Sequence, residues 1–141
     1  DYDRALLLAD SLLQMYPDQL LYKASQTVSL MNLQRYQEGI DAAKECLAMD
    51  SSLIEMQLYI GAAYCKMASE ITLPTNINSK SYRDKKQQIQ KLYKAALPYV
   101  EQYRQACPDK SDKWLPLLER KYWNLNMGIQ YEEITKLMQK T

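Results

Sequence analysis

Apolar residues recur along this chain at steps of three and four, the spacing that places them on one face of an α-helix. Leu6, Ala9 and Leu13 do so near the start, and Ile40, Ala43 and Leu47 further on. Tyr82, Ile89, Ala96 and Tyr103 recur every seven residues, with Leu92, Tyr93, Tyr99 and Val100 beside them. The pattern predicts seven helices, near residues 2–16, 19–33, 36–49, 53–68, 81–106, 112–127 and 130–140, and no strand. The fifth is the longest, roughly 39 Å at 1.5 Å per residue, so part of it must project or cover a neighbour. Pro98 removes a hydrogen bond inside it, which predicts a kink near residues 94–98. Ser52 with Glu55 and Ser81 with Asp84 read as capping-box starts, and Gly128 reads as a left-handed stop to the sixth helix.

The helical pattern also repeats. An offset of 34 residues superposes Tyr2 on Tyr36, Leu6 on Ile40, Ala9 on Ala43, Leu13 on Leu47, Met15 on Met49 and Leu20 on Ile54. Tyr93, Ala96, Val100 and Pro108 have the spacing of Tyr2, Ala5, Ala9 and Pro17, and a weaker fourth copy starts at Tyr131, followed by Ile134 and Met138. A small residue one turn after the tyrosine lets a neighbouring helix come close, and a proline ends the unit. From Tyr36 to Tyr93 is 57 residues, so one repeat carries 23 extra. Residues 69–81, with Thr72, Pro74, Thr75, Asn76, Asn78 and Ser79, have the composition of an inserted loop.

With these residues the chain resembles the tetratricopeptide repeat family, whose 34-residue unit is a pair of antiparallel helices. Ile60-Gly61-Ala62-Ala63-Tyr64 is similar to the family's Leu-Gly-x-x-Tyr element, and Trp114 follows Pro108 by six residues, where the family often has tryptophan. The departures are also specific. Gln26, Thr27 and Leu30 stand where the earlier repeat would have that element; Ser51 replaces a closing proline; Leu12, Cys46 and Tyr103 occupy a site where the family prefers alanine. The resemblance covers nearly all of residues 1–141 and implies one all-α domain, a right-handed superhelix of antiparallel helix pairs. The first helix matches the second half of a unit, so a partner helix is expected upstream of Asp1; the lack of an initiator methionine and of a basic-then-apolar leader fits a processed chain or a part of a longer one.

The resemblance implies a groove formed by the first helix of each pair. In this sequence its lining positions are Leu21, Ala24, Val28 and Met31, then Glu55, Leu58, Ala62 and Cys65. The subfamily that clamps a chaperone's C-terminal carboxylate presents lysine and asparagine there; alanine, valine and leucine stand here instead, so that clamp is not expected. An apolar wall suits a peptide segment with hydrophobic anchors. The alternative is that these residues pack on the long helix or on the upstream helix.

Composition narrows the chemistry. Zero histidine removes the commonest general base and metal ligand, and no Ser-x-x-Lys occurs. Gly39, Gly61 and Gly128 are too scattered for a phosphate loop. Cys46 and Cys65 fall on core-facing stripes, and Cys107 at a helix end is the candidate exposed thiol. No enzyme, cofactor, metal site or small-molecule substrate is expected; the expected partner is a protein or peptide. No apolar run approaches the roughly 20 residues of a membrane span, so the chain reads as soluble, with its compartment open.

The net charge of +1 conceals a polarity. Residues 1–70 carry 10 acidic and 5 basic side chains, and residues 71–141 carry 7 and 13. Lys80, Arg83, Lys85, Lys86, Lys91 and Lys94, against Asp84 alone, crowd the start of the long helix. They are either a solvated face or a contact for an anionic partner, nucleic acid or a membrane surface.

Overall fold

The computed structural model describes residues 1–140. Among them there are seven helices and no strand: α1 (Tyr2–Met15), α2 (Leu20–Asn32), α3 (Tyr36–Met49), α4 (Ile54–Ser69), α5 (Lys80–Ala106), α6 (Ser111–Asn124) and α7 (Gly128–Gln139). The protein is all-α. Every helix packs chiefly on its neighbours in sequence, and α4 also touches α6.

Two kinds of turn alternate between the helices. The α1–α2, α3–α4 and α5–α6 connections are four residues long and share one hydrogen-bond pattern. Tyr16 N–H donates to the Leu12 carbonyl at 2.7 Å and Gln19 N–H to the Tyr16 carbonyl at 3.2 Å; Asp50 and Leu53 repeat this at 2.9 and 3.3 Å, Cys107 and Lys110 at 2.8 and 3.1 Å. The backbone leaves the helix with a strongly negative φ each time, −133° at Tyr16, −151° at Asp50 and −132° at Cys107. The α2–α3 and α6–α7 connections are instead left-handed turns centred on Gln34 (φ 61°) and Asn126 (φ 56°). Arg35 N–H reaches the Leu30 carbonyl and Met127 N–H the Tyr122 carbonyl, both at 2.9 Å, which closes the helix end in the Schellman manner. The remaining connection, residues 70–79, is the loop part of the insertion, and it falls where this second kind of turn would stand. It is two residues shorter at its far end than the expected 69–81 loop.

These turns correct several expectations. No glycine has positive φ; Gly128 opens α7, and Asn126 holds the left-handed residue that ends α6. The fourth copy shifts register: Tyr36 follows Gln34 by two residues, whereas Tyr131 follows Asn126 by five, so Tyr131 stands where Gly39 stands in α3. Its ring packs at a tilt of 50° against Trp123, with centroids 5.2 Å apart. Ser52 is no helix cap; its N–H and hydroxyl both donate to the Asp50 carboxylate, at 3.0 and 2.6 Å. The cap of α5 is Ser79, whose hydroxyl accepts from Tyr82 N–H at 3.1 Å, rather than Ser81. Pro98 lies inside α5 and is exposed.

The small residues act as the pattern predicts. Gly39 lies under Met31, whose Sδ is 2.9 Å from where a Cβ would be, and Gly61 lies directly under the Val100 side chain. At the position matching Gly61, α2 has Thr27, fully buried, with its hydroxyl donating to the Lys23 carbonyl at 2.9 Å. The core falls into clusters along the stack, one around Ile40, Cys46 and Ile60, another around Val100, Tyr103, Trp114, Leu118 and Ile134. Trp114 Nε1 donates to the Cys107 carbonyl at 3.1 Å, pinning α6 to the preceding turn. Arg104 joins three helices: its guanidinium lies 4.9 Å over the Trp114 ring and donates to Glu133 at 3.0 Å. In α5 the buried residues are Tyr93, Ala96, Val100 and Tyr103, all in its second half; its first thirteen residues include none.

Candidate binding surface

The expected groove residues lie on α2 and α4, and the two helices treat them differently. On α2, Leu21 is 74% exposed, the most open apolar side chain of that helix. Ala24 and Val28 are half-buried along the same face, and Met31 turns away to cover Gly39. The α4 half is largely occupied from within. Glu55 pairs with Lys110 at 3.5 Å, in the turn before α6. Leu58 packs on the cluster containing Val100, Tyr103 and Leu118. Cys65 is 1% exposed, enclosed by Tyr93, Ala96 and Leu117, and cannot line an open groove; α5 and α6 close over it. Ala62 remains half-buried between these positions. Ala24 packs on the cluster of Ile40, Cys46 and Ile60, so the face that stays reachable is Leu21, Val28 and Ala62, and the packing alternative holds for Ala24, Leu58 and Cys65.

Cys65 has a neighbour that the pattern of charges did not announce. Lys121 of α6 is 0% exposed, and its Nζ has no hydrogen-bond partner. Burial lowers the ammonium to about 8 from its ordinary value, since a charge in a low-dielectric core is poorly solvated; Cys65 and Glu101 oppose that shift, and Arg120 adds to it. The Cys65 thiol is itself pushed up by burial. Nearby, Tyr122 donates to Glu101 at 2.9 Å and is raised to about 12, by burial first and by that carboxylate second. Lys121 follows Trp114 by seven residues and Leu118 by three, so it sits on the apolar stripe of α6; that spacing was the available signal.

A second feature, a polar cleft of about 280 Å³, lies between α1, α2 and α3. Lys23 bridges Glu45 at 2.5 Å and Gln26 at 3.2 Å, Gln26 donates to Asp10 at 2.8 Å, and Arg35 forms a two-pronged pair with Glu38. Its charged groups are mutually satisfied, which makes it a clasp between three helices rather than an open site.

All six basic residues at the start of α5 are exposed, and none is held in an ion pair among the described residues. Arg83 donates to the Asn78 carbonyl at 3.2 Å, and Lys86 lies 5.8 Å over the Tyr82 ring. Among the described residues no three His, Cys, Asp or Glu side chains cluster as metal ligands would, and no helix is long and apolar enough to cross a membrane. Cys46, Cys65 and Cys107 are free thiols.

No family model, curated protein or solved structure matches this chain.

Proposed function

We propose that the chain is a non-catalytic binding module, a tetratricopeptide-like right-handed superhelix whose even-numbered helices hold a protein or peptide segment. The observation that carries this reading is the recurrence of one backbone turn at Tyr16, Asp50 and Cys107, separated by 34 and 57 residues, with the left-handed turns at Gln34 and Asn126 between. A chain built of the same hairpin stacked on itself offers a continuous face along alternate helices, and such faces are extended binding surfaces. Here that face is apolar and uncharged at Leu21, Val28 and Ala62, which suits aliphatic anchors on a partner helix or extended segment.

The test uses peptides selected from a random library on the immobilised protein. Val28→Glu and Ala62→Glu are expected to weaken the selected peptides at least tenfold, with helicity by circular dichroism unchanged. Leu58→Glu is a poor probe, because Leu58 also supports the Val100 cluster. Unchanged affinity in both Val28→Glu and Ala62→Glu would place binding elsewhere.

A further inference from the structure

The insertion between α4 and α5 exposes aliphatic side chains beside the strongest positive charge of the molecule. Ile77 is 66% exposed and Leu73 37%, and neither joins any of the hydrophobic clusters. Ile77 sits at a tight bend: Asn78 N–H donates to the Asn76 side chain at 3.0 Å, and the Ser79 hydroxyl donates to the Asn76 carbonyl at 2.8 Å. Bends of this kind favour asparagine, serine and glycine; an isoleucine held outward at one gains nothing from the fold itself. Four cations follow at once, Lys80, Arg83, Lys85 and Lys86, within about 9 Å of helix rise. Asp84 is the one acid among them, and the half of α5 that carries them has no buried residue.

We propose that this tip docks on an anionic lipid surface, with Ile77 entering the headgroup and acyl boundary and Lys80, Arg83, Lys85 and Lys86 resting on lipid phosphates and carboxylates. An exposed aliphatic group followed directly by cations matches an interface that is apolar below and negative above. A nucleic acid would satisfy the cations but offers nothing to Ile77, and the ring best placed for stacking, Tyr82, is half-buried with Lys86 over it. Lys91 and Lys94 lie about 8 to 12 Å further along the helix than Lys86, near or beyond the screening distance of about 8 Å at physiological salt, so they stand outside the contact. The proposal uses no residue of the α2, α4 and α6 face, and its failure leaves the peptide-binding reading standing.

The experiment is co-sedimentation of the intact chain with vesicles of phosphatidylcholine containing 30% phosphatidylserine, with pure phosphatidylcholine vesicles and a 20-base-pair DNA duplex as comparisons. Binding to the phosphatidylserine vesicles, lost in 0.5 M salt, is expected. Each charge removed should cost about fivefold, so Lys85→Gln with Lys86→Gln about 30-fold. Ile77→Ser should cost about tenfold, and Lys91→Gln with Lys94→Gln less than threefold. Equal retention on both vesicle types, or no effect of Ile77→Ser, overturns the proposal. So does tighter binding to the duplex with Lys91 and Lys94 contributing as much as Lys85 and Lys86, which would assign the stripe to nucleic acid. All five substituted positions are exposed, and circular dichroism checks that each variant folds.

Discussion

Gly61 of α4 packs directly beneath Val100 of α5, whose Cγ2 fills the space a Cβ on Gly61 would need. In an exposed helix, Gly→Ala would stabilise by about 1 kcal/mol. Here the added Cβ overlaps Val100 Cγ2, and forcing a methyl into a filled core costs about 1 to 3 kcal/mol. Gly61→Ala is therefore expected to lower stability by about 1 to 2 kcal/mol in urea unfolding, and Val100→Ala in the same chain to be less damaging than in the parent. Additive losses would show that the two do not share the contact.

Gly39→Ala should behave differently. Its neighbour is the end of the flexible Met31 side chain rather than a branched residue fixed close to its own backbone. The helix-propensity gain then offsets a small adjustment, and a stability change within about 0.5 kcal/mol of zero is expected by the same unfolding measurement.

Lys121 gives a prediction whose sign depends on pH. Its folded value, about 8, lies below the ordinary 10.5, so the folded state binds this proton less readily than the unfolded chain. Below pH 8 both states are protonated and the full cost of burying the ammonium is present. Between 8 and 10.5 the folded state sheds the proton and the cost is progressively relieved, so stability from this group rises with pH. At about 1.4 kcal/mol per pH unit the cost near pH 7 is on the order of 3 kcal/mol. Lys121→Met, which keeps the apolar stem, is expected to stabilise by about 2 to 3 kcal/mol at pH 7, and by clearly less at pH 9.5. The facing groups are the Cys65 thiol, Glu101 and Arg120. An advantage that does not shrink toward pH 9.5 would contradict a buried ammonium as its source.

The thiols should react in a fixed order. Cys107 is half-exposed at the end of α5, while Cys46 and Cys65 are buried and their thiols raised by that burial. Reactivity follows the exposed thiolate. Mass spectrometry after a brief alkylation of the folded protein is expected to find label on Cys107 and on the other two only after denaturation.

The helix pattern and the contact roles of Gly39 and Gly61 were legible in the sequence because periodic apolar spacing and small residues report packing directly. The turn details were not. Gln34 and Asn126 adopt positive φ without being glycine, and Gly128, the residue with the obvious composition signal, does not. Ser79 caps α5 although Ser81 with Asp84 matches the capping pattern, since serines two residues apart offer one helix two starts. On the candidate surface, Leu21 and Val28 came from the groove positions that the family resemblance implies, and neither joins a core cluster. Cys65 carried two readings, a core-facing stripe and a groove position, and the packing of α5 and α6 over it decides for the core; Lys121 was hidden by the expectation that a lysine lies outside.

The central claim is that alternate helices present one binding face. Chemical-shift mapping of the isotopically labelled protein with a library-selected peptide tests it most directly. The largest amide shifts are expected on α2, α4 and α6, around Leu21, Val28 and Ala62. Shifts concentrated on the outer faces of α1, α3 and α5, with those three positions unmoved, would contradict it.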